Sequence, residues 1–208
     1  MARLAFFTLN VARESFSSLQ LKGFVERIEP ILAQASATHG FLDFPPAMRL
    51  SKDDPELIWP DAKPADAEAA MTLSLWRDID SVFAFAYAGM HAEALRLRRE
   101  WTVTSTWPNY VAWWVGDDEE PTWREAARRH ESLRTRGPTV DAFDFRAPFD
   151  ADGQPLPPVR KPLGVISSAH GGSVGVEHGL IAHDFDGALP LRAQTKHAVD
   201  ESMPSEDR

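Results

Sequence analysis

The chain has 208 residues, 43% of them hydrophobic and 25% charged, with a formal net charge of −9 and no cysteine. That composition suits one soluble globular domain with length left for an appendage. The negative charge excludes a general binder of nucleic acid or anionic membrane, and the missing cysteine excludes disulfides, thiolate catalysis and cysteine-ligated metal centres.

The first residues, MARLAFFTLNV, lack the apolar length and small-residue cleavage site of a signal peptide, and no apolar run approaches the roughly 20 residues that span a bilayer. A cytoplasmic protein is therefore expected.

Residues 3–11 (RLAFFTLNV) read as a buried strand, with Leu4, Phe6, Thr8 and Asn10 on one face and Ala5, Phe7, Leu9 and Val11 on the other. Asn10 is either a strand end entering a loop or an amide aimed into a cavity. Residues 19–39 carry a one-sided apolar stripe from Leu21 to Ala35 and predict a helix, kinked or broken at Pro30 and capped by Gly40. Residues 42–68 hold five prolines and no periodicity, with a short strand near Phe41–Phe44; their Leu57, Ile58 and Trp59 favour an ordered flap or lid.

Residues 70–76 alternate as a strand, with Thr72, Ser74 and Trp76 sharing a face. Asp78 is an N-cap candidate for a second helix running to Trp101, on which Phe83, Tyr87, His91 and Leu95 form an i, i+4 row. His91 then borders the buried face with Tyr87 one turn before it. Arg98 and Arg99 complement the helix dipole, and with Arg96 they form a basic cluster suited to a small anion.

Residues 107–115 (WPNYVAWWV) predict the next strand, with Tyr110, Ala112 and Trp114 on one face. Thr122 to Glu125 reads as a capping box opening a helix striped by Trp123, Ala126, Ala127, His130 and Leu133, which Gly137-Pro138 ends. AFDF (142–145) predicts a last short strand. Two regions follow from this: a domain over 1–148, and a Pro/Gly-rich extension over 149–208 with a possible hairpin and an acidic tail. His170, Glu177, His178, His183, Asp184 and Asp186 in the extension match no metal-ligand spacing.

The element order is that of an α+β, ferredoxin-like split β-α-β arrangement: an antiparallel sheet with helices on one face. Several motifs also resemble an uncharacterised domain-of-unknown-function family of the dimeric α/β-barrel group. They are TLSLW, then F-x-x-x-Y-x-G-x-H (Phe83, Tyr87, Gly89, His91), L-R-x-R-R-E-W, Y-V-A-W-W-V, P-T-W-x-E-A, and G-P-T with A-F-D-F. The resemblance covers roughly residues 3–148.

It implies a homodimer in which two sheets form a barrel, and a pocket within each subunit between helices and sheet. More distantly it implies similarity to antibiotic-biosynthesis and haem-degrading monooxygenases. The haem-degrading members use an Asn on the first strand, a Trp, and a helical His that ligates iron. Asn10 and His91 fall in comparable places; their Trp lies within the helix, where this chain has Phe85 or Ala86 and carries Trp76 on the preceding strand instead.

By itself, His91 reads as a general acid or base, an axial haem ligand, or a hydrogen-bonded structural group. Trp101, Trp113 and Trp123 are most simply core, whereas Trp76 and Trp114 are better placed to line an aromatic-friendly pocket. The expected function is a monooxygenase-like enzyme acting on a hydrophobic, aromatic or polyketide-like molecule, with no cofactor or with haem on His91. His91, Asn10 and Tyr87 would be catalytic, and Trp76, Trp114, Ser74, Phe83 and Arg98 would bind substrate. A non-catalytic small-molecule or haem-binding protein, and a cyclase or isomerase using acid–base chemistry, stay open.

Overall fold

A computed structural model describes residues 1–45, 68–104 and 106–159. Its elements are β1 (Arg3–Val11), α1 (Lys22–Ala37), β2 (Phe41–Asp43), β3 (Ala69–Trp76), α2 (Ile79–Ala86), α3 (Gly89–Trp101), β4 (Tyr110–Val115) and α4 (Trp123–Arg136). The four strands form one antiparallel sheet in the order β2-β3-β1-β4. Each strand–helix–strand crossover skips the strand between its ends, which is the split β-α-β arrangement.

β1 is the central strand, pairing Leu4 with Trp76 and Trp114, and Thr8 with Thr72 and Tyr110. Strand parity therefore sorts the chain into two layers. On one face Phe7, Leu73, Val111 and Trp113 form a core with Trp123, Ala126 and Leu133 of α4. On the other, Leu4, Phe6, Trp76 and Ala112 pack with α1, α2 and the segment around Phe143 and Phe145, while Ala70 and Trp101 join Leu21 and Phe16.

The expectation of helices on one face is thus corrected: α1, α2 and α3 cover one side and α4 the other. The stripe of α4 was legible, since Trp123, Ala126, Ala127, His130 and Leu133 are its buried residues. Its destination was not, because periodicity says which residues face inward and not which sheet face they meet.

Two helix boundaries also differ from the sequence reading. α1 runs unbroken through Pro30. Pro30 and Glu26, whose carbonyl loses its donor there, are both exposed, which lowers the cost of the missing bond. The single helix expected from Asp78 to Trp101 is two, α2 and α3, divided at Tyr87–Ala88.

Local signals at the other ends act as read. Asp78 caps α2 by accepting from the Ser81 amide at 2.8 Å, and Thr122 caps α4 by accepting from the Glu125 amide at 3.1 Å. β4 begins at Tyr110, after Pro108, which has no amide hydrogen for the ladder. The AFDF segment makes only isolated bridges, with Ala112 and Phe143 exchanging two 2.9 Å bonds.

Residues 149–159 fold back onto the same unit: the Trp114 indole donates to the Phe149 carbonyl at 2.8 Å, and the Val159 amide to Phe145 at 2.8 Å. The expected lid over most of 42–68, the hairpin, the acidic tail, and His170, Glu177, His178, His183, Asp184 and Asp186 lie outside the described residues.

Candidate functional site

The side chains at Phe6, Thr8, Asn10, Thr72, Ser74 and Trp76 form the floor of a cavity of about 600 Å³. α1 supplies an apolar wall from Phe24, Ile28, Ile31 and Leu32, and α3 the opposite wall from His91, Ala94, Leu95 and Arg98. The size and the mostly apolar lining with a few polar groups are those of a small-molecule site.

α1 and α3 run antiparallel along it. Gln34 of α1 meets the start of α3, while Phe24 packs on Trp101 at its end, with ring centroids 5.8 Å apart.

His91 is held by the interruption between α2 and α3. Because α2 ends at Ala86, the Ala86 carbonyl has no helical amide to accept, and it accepts the Nδ1–H of His91 at 2.8 Å. A carbonyl can only accept, so the neutral imidazole carries its proton on Nδ1 and presents a lone pair at Nε2. Nε2 makes no hydrogen bond among the described residues. Burial, partly opposed by the bond to Ala86, holds the pKa below its ordinary value of 6.5. The ring lies 4.6 Å from Phe85, itself stacked on Trp76 at 5.3 Å.

Gln34 closes the interruption, and no sequence signal marked it. Its amide donates to the Ala88 carbonyl at 3.0 Å and accepts from the His91 amide at 3.3 Å. Gly89 starts α3 at φ +48, and a Cβ there would stand 2.9 Å from the Gln34 Oε1. Glycine thus permits both the left-handed turn and the close approach of Gln34.

The sequence-nominated residues are distributed along the cavity. Trp76 and Ser74 lie at the His91 end. There the Trp76 indole donates to Ser74 Oγ at 2.9 Å, and Ser74 Oγ donates to the Phe6 carbonyl at 3.3 Å. Both polar groups are occupied, so this pair builds the floor. Tyr87 is exposed at the C-terminal cap of α2, its ring tilted against Phe83 with centroids 4.5 Å apart. It is not one helical turn before His91.

Asn10 stands opposite Ala70, near the Ala12–Thr102 bridge where α3 finishes. Asn10 and His91 therefore mark opposite ends of one cavity. From Phe6, paired with Ser74, to Asn10 is four strand steps, roughly 13 Å. Arg98 shares the Asn10 end. Phe83 and Trp114 do not line the cavity; Trp114 bonds to Phe149 instead.

Mid-floor polarity comes from residues the sequence reading did not nominate. Thr8 and Thr72 hydroxyls meet at 2.7 Å, and beside Thr8 the Tyr110 hydroxyl accepts from the Phe145 amide at 3.3 Å. Burial pushes the Tyr110 phenol far above its usual range, so it stays a neutral donor. The other buried imidazole, His130, donates to the Pro108 carbonyl at 2.6 Å and sits against Phe7 and Trp107, away from the cavity.

Among the described residues no cluster of three or more His, Asp or Glu side chains is arranged to hold a metal ion, and no helix is long and apolar enough to cross a membrane. A family model described as "Domain of unknown function (DUF3291)" matches residues 3–158. Neither the curated proteins nor the solved structures give a match.

Proposed function

We propose that this chain, which belongs to the DUF3291 family of unknown function, binds a hydrophobic, aromatic or polyketide-like molecule in the helix–sheet cavity and takes a proton from it at His91. One observation carries the reading. The Ala86 carbonyl holds Nδ1–H at 2.8 Å, which leaves a basic Nε2 on the wall of an apolar cavity. Burial keeps that imidazole neutral near pH 7.

Nε2 accepts the proton and the substrate keeps the electron pair. The resulting imidazolium shares its charge with an Nδ1–H already bonded to a carbonyl. The Thr8–Thr72 hydroxyl pair, with one hydrogen to spare beyond its mutual bond, and the Tyr110 hydroxyl supply donors on the floor for a developing oxyanion. Returning the proton to another carbon gives isomerisation; attack of the carbanion on a second carbonyl carbon of the same molecule, with the proton returned to the new alkoxide, gives cyclisation. Passing electrons to dioxygen gives the monooxygenase-like outcome: the substrate is oxidised, one oxygen atom enters the product and the other leaves as water.

The experiment is deuterium uptake from solvent into aromatic 1,3-dicarbonyl compounds, followed by NMR. Uptake that His91→Asn abolishes while compound binding persists supports the proposal. Uptake that survives the substitution sinks it. Binding with neither uptake nor turnover in the unaltered chain identifies a binding protein instead.

Haem is a second reading, favoured because an axial histidine also needs a free Nε2 and a second nitrogen held by a carbonyl. His91 would be that ligand, and bound haem would supply oxygen activation. A Soret band on adding haemin, lost in His91→Ala, selects this reading; its absence in the unaltered chain removes it.

The homodimer implied by the resemblance requires two sheet faces to meet. Here Phe7, Leu73, Leu75 and Trp113 are buried within one chain, in the core that α4 completes. We therefore propose that any pairing of chains uses surfaces other than the sheet faces.

A further inference from the structure

The far end of the cavity is chemically unlike the His91 end. Arg98 and Arg99 line it together with Asn10 and Thr102. Neither guanidinium has an ion pair or a side-chain hydrogen bond among the described residues, whereas Arg27 nearby is paired with Glu93 at 2.8 Å. The Asn10 amide also lacks a hydrogen-bond partner among the described residues.

Basic residues in a last helical turn complement the dipole wherever they point. These two also line the cavity, in a chain whose net charge is −9. No Asp or Glu lines the cavity among the described residues, and with screening over roughly 8 Å the arginines decide what that end attracts.

We propose that the ligand of this cavity is an amphipathic anion. Its apolar or aromatic body lies between α1 and the sheet, and its carboxylate, or a chemically similar oxyanion, meets Arg98, Arg99 and the Asn10 amide. The inference rests on the reading that the cavity binds a small molecule, and it adds polarity and length. His91 and Arg98 are seven residues apart on α3, ~10 Å along the axis. The anionic group thus lies about that far from the atom that meets Nε2, and it positions the substrate without taking part in proton transfer.

The test compares two fluorescent probes of like aromatic body: anilinonaphthalene sulfonate and the uncharged phenylnaphthylamine. Each is titrated into the full chain, into the Arg98→Gln/Arg99→Gln double variant, and into a cavity-filling Ile28→Trp variant, with Leu32→Trp in its place should the first not fold. The sulfonate is expected to bind about tenfold or more tightly, and the difference to close in the arginine variant, the size expected for charge-assisted contacts.

Equal binding of both probes, lost on filling the cavity, overturns the anionic preference and leaves the cavity reading intact. A sulfonate preference that the arginine variant keeps also overturns it. Binding of neither probe, or binding that cavity filling does not change, overturns both.

Discussion

The Ala86 carbonyl accepts the Nδ1–H of His91 at 2.8 Å because α2 stops at Ala86 and leaves that carbonyl without a helical donor. A continuous helix would have engaged the carbonyl with the amide four residues on and left the imidazole tautomer unfixed. The interruption is therefore what prepares His91, and Gln34 and Gly89 are what hold the interruption.

Replacing Gln34 with Leu removes the donor to the Ala88 carbonyl and the acceptor of the His91 amide. A loss of about 1–2 kcal/mol is expected for the two bonds, together with a changed His91 titration. Urea unfolding and an NMR pH titration measure these. A variant with unaltered stability and unaltered titration would show that Gln34 does not position His91.

Gly89→Ala tests the same junction from the backbone. An alanine at φ +48 is strained by about 1–2 kcal/mol, and its Cβ would crowd the Gln34 Oε1 at 2.9 Å. A lowered Tm is expected, with the His91 resonances displaced. Full retention of both would mean that the turn relaxes at no cost.

Stability should fall on acidification. Burial lowers the pKa of both His91 and His130 below 6.5. Between the unfolded and folded pKa values the unfolded chain binds more protons, so stability rises with pH across that window. The contribution is present above about pH 6.5 and is lost as pH falls through the folded values. Urea unfolding between pH 7.5 and 5 should show the decline, with a shallower slope in His91→Asn. Identical slopes for the two proteins would contradict the assignment for His91. The proton-transfer rate should likewise fall as pH drops through the lowered pKa of His91.

Sedimentation equilibrium should return a mass that Trp123→Ala does not raise by exposing a ready-made dimer face. That substitution is expected to cost about 3–5 kcal/mol by emptying the core under α4, because Trp123 packs on Phe7 at 6.0 Å. A stable dimer built by sheet-to-sheet pairing would show that α4 moves aside in solution.

Local patterns made much of this molecule readable. Alternation groups Phe6, Thr8 and Asn10 within β1 and Thr72, Ser74 and Trp76 within β3, and the β1–β3 register then puts both groups on the cavity floor. The caps at Asp78 and Thr122 and the buried stripe of α4 were likewise written in short-range residue types.

The tertiary structure decided what periodicity cannot express. Phe83, Tyr87, His91 and Leu95 keep helical spacing across a helix that is interrupted, because a glycine within a helical pattern is tolerated locally, while the Gln34 contact from α1 and the His91–Ala86 bond hold the break here. Asn10, Trp76 and Trp114 are on three strands whose register puts them on one face, but with Asn10 and Trp76 at opposite ends, and Phe149 occupies the indole of Trp114. The sequence by itself determined which side chains of one strand or helix share a face. The packing of distant segments determined where along it each one stands, because register and helix-to-sheet docking are set by contacts between residues far apart in the chain.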